Sequence, residues 1–369
     1  MINVGIIGLS ASDAAWVSRS HALALQKAPL SEKYRLAAVA TTTKETALPS
    51  AKRWGVSPAK AYTQASQLAT DPDLDLVVVG VKLPLHYELA LPLLEAGKDV
   101  FIEWPLATTL DQVAELQAAA RRGGGRTLVG LQARASPVIL KAKEIIDSGA
   151  LGKIVATTIV GWDNSLLYLP PRFDYEHDAR NRADISTITS GHVLDAMCFL
   201  LGEFESLSSS INCFFPTITT PHHNDEVKRD APDSILVHGI LQSGAMASFS
   251  MVLTPPGTPS LFTWTIAGEK GALKFESNNI NIQILPPKLY WYKANADGGT
   301  SAWEEVSVPE PLHFGQVGEL YRVFARGGEG LGVLTDFDGA ALRHRMLEAC
   351  LRSSQTGARQ RYVSRYAID

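Results

Sequence analysis

Five apolar runs, separated by stretches suited to helix, occupy the first 135 residues and limit what this chain can become. They are "INVGIIG" (2–8), "YRLAAVAT" (34–41), "LDLVVVGV" (74–81), "KDVFIEW" (98–104) and "RTLVGLQA" (126–133), continuous rather than alternating. Runs of this kind read as strands buried on both faces, as in a parallel sheet covered by helices. Between them lie Ala- and Leu-rich segments: Ala14 to Ala28, "HYELALPLLEAG" (86–97) with Gly97 as a stop, and "TLDQVAELQAAARRG" (109–123). Strand and helix taken in turn predict a doubly wound α/β domain over residues 1–135.

The texture then changes. "SPVILKAKEIIDSG" (136–149) reads as an amphipathic helix, with Pro137 at its start and Gly149 at its end. After it come alternating β-branched runs at 153–162, 206–215, 234–244 and 245–253, a hairpin at 262–276, and "INIQIL" (280–285). They predict a second, α+β domain over 136–336: an open, mainly antiparallel sheet with one face solvated or free for a partner. One helix (186–202) interrupts it. A last helix, "FDGAALRHRMLEACLRSSQTG" (337–357), opens a segment 337–369 expected to pack back on the body. The stretches 216–233 and 295–315 read as surface loops.

A length of 369 residues suits two domains. A net charge of −4 gives no electrostatic reason to expect nucleic acid or an anionic membrane as a direct partner. No apolar run reaches about 18 residues, and the start lacks the layout of a signal peptide. Cys198, Cys213 and Cys350 are odd in number and widely spaced, which points to a reducing interior, cytoplasmic with the nucleus as the other option. "HHND" (222–225) has no spaced third ligand, so no metal is expected.

"VGIIGLSASDAAW" follows a strand and opens a helix, the context that makes a glycine turn a dinucleotide candidate. Gly8 fits the tight turn, but Ser10 and Asp13 stand where the second and third glycines of the fingerprint fall. Ser10 and Ala11 are small enough for backbone amides to approach a pyrophosphate; a plain strand-to-helix turn is the competing reading. At the end of the second strand no Asp or Glu is placed for the adenine-ribose diol. Thr42, Thr43 and Lys44 offer hydroxyls and a cation instead, favouring NADP, with NAD as the alternative.

Three further stretches, "VKLPLHYELALPLLEAGKDVFIEWPLA" (81–107), "LVGLQARASPVILKAKEIIDSGALGKI" (128–154) and "SGHVLDAMCFLLG" (190–202), occur in order at familiar separations. With the glycine turn, the chain resembles the glucose–fructose oxidoreductase and inositol dehydrogenase (Gfo/Idh/MocA) superfamily along nearly its whole length. "GLSASDAAW", "EWPLA" and "TSGHVLD" look closer still to one branch, the fungal galactose-pathway repressors and their oxidoreductase-like relatives. The resemblance implies an N-terminal Rossmann domain, a C-terminal open sheet, a nicotinamide site where the domains meet, and a homodimer or tetramer through the free sheet face.

The resemblance also assigns roles, and the chain departs from some of them. The family's strand edge reads Glu-Lys-Pro, with the lysine relaying a proton; here Glu103 is followed by Trp104. The family histidine is matched by His192, but the acid four residues earlier is replaced by Ile188; Asp195 follows one helical turn later. His192 is then the expected proton donor, with Asp195 fixing its tautomer or capping the helix, and Tyr168 as a further catalytic candidate. Lys82, His86, Glu103, Trp104 and Gln132 are expected on the cofactor, and Arg134, Trp162 and Tyr175 on the substrate. Two functions follow: an NAD(P)-dependent oxidoreductase acting on a small carbonyl or hydroxyl compound, or a catalytically silent regulator that binds another protein.

Overall fold

The computed structural model describes residues 1–223, 226–294, 302–312, 314–327 and 333–363. The chain divides into two compact units, Met1–Ala135 with Pro311–Ala341, and Ser136–Glu310 with Leu342–Asp369. Residues 311–336, expected with the second domain, therefore belong to the first, and so does the start of the final helix. Part of the reason is backbone pairing: the Val129 amide donates to the Thr335 carbonyl (2.8 Å), extending the edge of the first sheet.

In the first unit β1 (Ile2–Ile7), β2 (Tyr34–Ala40), β3 (Ala61–Tyr62), β4 (Leu76–Val79), β5 (Asp99–Ile102) and β6 (Thr127–Val129) form one sheet. All pairs are parallel. Their order, β3-β2-β1-β4-β5-β6, is that of a doubly wound sheet whose switch point lies between β1 and β4. β4 is buried at all four positions, as its unbroken Leu-Val-Val-Val run requires. Helices α1 (Leu23–Leu25), α2 (Lys44–Trp54), α3 (Ala65–Ala69), α4 (His86–Glu95) and α5 (Leu110–Gly123) supply the crossovers.

The first crossover helix is shorter than the expected 14–28. Residues 16–25 are helical, with a π turn at Ser18–Ala22. Serine hydroxyls hold the preceding residues out of the helix: the Ser12 amide donates to Ser10 Oγ (3.0 Å) and the Ala14 amide to Ser12 Oγ (3.2 Å).

The second unit opens with α6 (Pro137–Asp147) and β7 (Ile154–Asp163), followed by α7 (Ile188–Leu201) and β8 (Phe204–Asn212). β9 (Thr217–Ile218) and β10 (Val227–Lys228) make a small hairpin. β11 (Ser234–Leu241), β12 (Met246–Leu253), β13 (Leu261–Gly268), β14 (Gly271–Ser277), β15 (Lys288–Lys293) and β16 (Trp303–Glu305) complete an eight-stranded sheet in the order β16-β15-β14-β13-β7-β12-β11-β8. Only the β12–β7 pair is parallel among its described strands. Burial alternates along β12, with Ala247, Phe249, Met251 and Leu253 inward and Ser248, Ser250 and Val252 outward.

"INIQIL" is not a strand. Ile280 and Ile282 are buried, but Asn279 Oδ1 takes the Asn281 amide (2.7 Å) and the Asn281 carbonyl takes the Ile284 amide (2.9 Å), so the segment turns. β15, which follows, is the strand. The outer edge of β8 is covered by the chain's end. Ser353 and Ser354, on α9 (Phe337–Thr356), accept the Ser209 and Ile211 amides (3.0 and 2.8 Å), and Leu207 pairs with Gln360. Among the described residues no helix is long and apolar enough to cross a membrane.

Candidate functional site

β1 delivers Gly8 to the switch point with φ +90°. A Cβ there would lie 2.4 Å from the Gly80 carbonyl and 2.8 Å from Val81 Cγ1, so the turn accepts only glycine. The carbonyls that follow are held from behind. Ser50 Oγ donates to Leu9 O (2.7 Å), while Ser10 O receives Trp54 Nε1 (2.8 Å) and Ser18 Oγ (3.2 Å). The amides of Ala11 and Asp13 make no hydrogen bond among the described residues, and both residues are exposed. With its carbonyls tied back and those donors left over, the turn is suited to an anionic diphosphate even without the second and third glycines.

At the end of β2, Thr42, Thr43 and Lys44 are all exposed, and Thr43 sits at the N-cap of α2. The Lys44 ammonium donates to the Ala61 carbonyl at the start of β3, so it is directed along the sheet edge rather than simply solvated. Arg53, which sequence reading passed over, pairs with Asp13 of the turn (2.8 Å). Lys82 is exposed, one turn before α4.

The edge of β5 carries Glu103 and the buried Trp104, whose bond to Pro105 is cis. Glu103 Oε1 receives Trp16 Nε1 (3.0 Å) and pairs with His21 Nε2; His21 Nδ1 in turn meets the Tyr321 hydroxyl (2.7 Å). With a proton on Nε2, His21 donates to Glu103 and accepts from the Tyr321 hydroxyl at Nδ1. Burial, with smaller contributions from the charges of Tyr34 and Glu103, pushes the Tyr321 phenol well up, so it stays a donor.

The expectation for His86 changes. Its two ring nitrogens lie 2.9 Å from the Pro105 carbonyl and 3.1 Å from the Val81 carbonyl, and a neutral ring, with a single N–H, donates to one of them, so the ring is packed between the loops after β4 and β5. Burial holds its pKa down against those carbonyls. Gln132, at the end of β6, is buried, and its Oε1 has no hydrogen-bond partner among the described residues. An orphaned acceptor at this edge fits a ligand N–H. Arg134 is half-buried in the same turn.

The second unit carries the remaining candidates. His192 is buried on α7. The Asp195 carboxylate receives Arg343 Nε (3.2 Å) within a fully buried ion pair. Arg343 also grips Glu203 with two bonds (3.0 and 2.9 Å), and the Tyr362 hydroxyl donates to the same carboxylate. Trp162 is half-buried on β7, its indole N–H committed to the Pro259 carbonyl (2.7 Å).

Tyr168 is half-buried in a short 3₁₀ turn. A second 3₁₀ segment, Pro171–His177, holds Tyr175, whose phenol is pushed up by burial and then by Glu176. Glu176, unsuspected from sequence, is raised to about 8 by burial and the nearby charge of Asp184, against a hydrogen bond from Tyr175. It is a carboxyl kept protonated near neutrality. In the "HHND" stretch, His223 pairs with Thr220 (2.7 Å) and Asp174 (3.1 Å), and Asn224 and Asp225 lie outside the described residues. Among the described residues no set of three or more His, Cys, Asp or Glu side chains is placed to hold a metal.

Residues 2–131 match the oxidoreductase family with an NAD-binding Rossmann fold (GFO_IDH_MocA). Over 361 residues the chain is 39% identical to dehydrogenase aclE of Aspergillus oryzae, covering 96% of this chain and 97% of that protein. The chain belongs to the Gfo/Idh/MocA oxidoreductase family. Within it, residues 137–277 match the Gal80p C-terminal domain. A super-repressor mutant of Gal80p from Saccharomyces cerevisiae superposes with a TM-score of 0.87 at 25% identity, covering 98% of this chain and 97% of that one. Levoglucosan dehydrogenase in complex with NADH shares the fold, with a TM-score of 0.81 at 19% identity and coverage of 98% and 99%. Family membership gives the first unit an NAD-binding Rossmann fold.

Proposed function

We propose that this protein is an NAD(P)-dependent oxidoreductase that moves hydride to or from a small compound bearing a carbonyl or hydroxyl group. The observation that carries this reading is the Gly8 turn at the β1–β4 switch point, with its carbonyls tied back and the Ala11 and Asp13 amides left as donors. End-to-end likeness to a dehydrogenase supports it. A bound nicotinamide would supply the hydride exchange. The chain's own residues grip and orient: the turn holds the diphosphate, Glu103 is fixed by Trp16 and His21, and Gln132 Oε1 accepts an N–H of the ligand.

Trp104 stands where the family carries a lysine, and an indole exchanges no proton near neutrality. The proton falls to His192, histidine being the side chain suited to that task, with Tyr168 or the protonated Glu176 as the alternative. Asp195, one helical turn after His192 and paired with Arg343, is the proposed positioning group for the histidine. Arg134, Trp162 and Tyr175 are the proposed substrate contacts, Arg134 for an acidic group. NADP is the preferred form. Thr42 and Thr43 are exposed at the diol end, and a lysine ammonium has two further N–H groups beyond the one Lys44 gives to Ala61. A second copy of the chain covers the outward sheet face, where Leu236 and Met246 are exposed; three free cysteines suit a reducing, cytoplasmic setting.

One observation favours a second reading, a dinucleotide-binding regulator: the second unit matches the Gal80p C-terminal domain. Oxidation of NADPH with a panel of aldehydes, ketones and sugars separates the two. The enzyme reading expects turnover that falls at least ~10²-fold in His192→Ala while cofactor affinity is kept. Dinucleotide binding without turnover on any compound overturns it in favour of the regulator.

A further inference from the structure

The segment that rejoins the first unit after residue 310 does more there than fill core. Gly315 has φ +71°, and a Cβ on it would fall 2.5 Å from Trp16 Cη2 and 3.1 Å from Trp16 Cζ3. The backbone at Gly315 is thus seated against the six-membered ring of Trp16, whose Nε1 donates to Glu103 (3.0 Å). Two residues beyond, α8 (Val317–Phe324) carries Tyr321 to His21, the other donor to the same carboxylate oxygen. Trp16 precedes the π turn and His21 lies within it, and Ser18 of the same turn donates to Ser10 O of the glycine turn. One short helix therefore sets both the turn and the β5 edge, and the returning segment presses on that helix.

We propose that Gly315 is a positioning residue for the dinucleotide site, acting through the Trp16 indole on Glu103. The inference rests on the dinucleotide reading above. Filling the space at Gly315 displaces the indole, breaks its bond to Glu103 and loosens the helix behind the turn.

Gly327 provides the control. It has φ +77° in the same returning segment, but a Cβ there meets nothing within 4 Å among the described residues. Gly327→Ala thus carries the backbone strain alone, and Gly315→Ala carries the strain plus the collision with Trp16. The experiment titrates NADPH into the wild type, Gly315→Ala, Gly327→Ala, Trp16→Phe and the Gly315→Ala/Trp16→Phe double variant. The ¹⁵N shifts of the His21 ring are recorded on the dinucleotide-free proteins.

The expected result is a loss of about tenfold in affinity for Gly315→Ala relative to Gly327→Ala, shrinking to about twofold or less in the Trp16→Phe background. The His21 signals move in Gly315→Ala and stay in place in Gly327→Ala. Equal affinity of the two alanine variants, or an undiminished loss in the Trp16→Phe background, overturns the proposal. Should the wild type bind no dinucleotide, the parent reading falls, and the His21 signals decide this one: displaced only in Gly315→Ala they support the linkage, unmoved they overturn it.

Discussion

Trp16 Nε1 lies 3.0 Å from Glu103 Oε1, although 87 residues separate the two in the chain. The bond joins the helix behind the glycine turn to the edge of β5, so one hydrogen-bonded link ties the two together. The same carboxylate holds His21, and His21 holds Tyr321, around a histidine with no exposed surface. Such a network is stable only when every member is satisfied.

Tyr321→Phe tests that network. The variant keeps the ring and its edge-on packing against His21 and Tyr34 but leaves His21 Nδ1 buried without its donor. Urea unfolding is expected to show a loss of about 1–3 kcal/mol. A loss below about 0.3 kcal/mol would mean that water or a rearranged tautomer replaces the phenol.

Arg343 is the second buried hub. Arg343→Met strands the Glu203 and Asp195 carboxylates and is expected to cost about 3–5 kcal/mol at neutral pH. Burial pushes the Glu203 carboxyl up, but the charge and hydrogen bonds of Arg343, joined by the Tyr362 hydroxyl, prevail and hold it below its ordinary 4.5. A depressed carboxyl contributes stability that is present above its unfolded pKa and is lost as pH falls through the folded one. Glu203→Gln should therefore be less stable than wild type at neutral pH and converge with it in acid. Parallel curves would contradict the pairing.

These hubs mark where sequence stops being informative. The continuous runs of β1, β2, β4 and β5 announce a parallel sheet because a strand buried on both faces has no polar positions to spare. Gly8 was legible as a tight turn because a strand that ends in glycine before a helix needs the positive φ found there. The partner of Asp195 was not legible, since Arg343 lies 148 residues away and no local pattern joins them. The same holds for Tyr321 against His21, 300 residues apart, and hence for the membership of 311–341 in the first unit. "INIQIL" failed differently. Its apolar alternation is real and Ile280 and Ile282 are buried, but asparagine side chains bend the backbone where β-branched residues would extend it.

Glu176 makes a pH prediction of opposite sign to Glu203. Its carboxyl titrates near 8 in the fold against an ordinary 4.5, so the unfolded chain releases the proton first. Its contribution to stability is complete below about 4.5 and drains away as pH rises to about 8. Glu176→Gln should gain on wild type across that window by at most about 1.4 kcal/mol per pH unit. Thermal melts at pH 5, 6.5 and 8 read this directly, and a constant difference across the three would show that the carboxyl is already ionised in the fold.

Gly8→Ala places a methyl 2.4 Å from the Gly80 carbonyl at a φ of +90°. The turn must open to accept it, so the variant should lose dinucleotide affinity by at least about 10²-fold, even where it still folds. Retained affinity would place the diphosphate elsewhere.

The most direct test is calorimetric titration of NADPH, and separately NADH, into the purified chain, with Gly8→Ala as the blank. The account predicts saturable binding of one dinucleotide per chain by the wild type and none by the variant. No heat from either dinucleotide, together with an unchanged melting temperature at saturating concentrations, would contradict it.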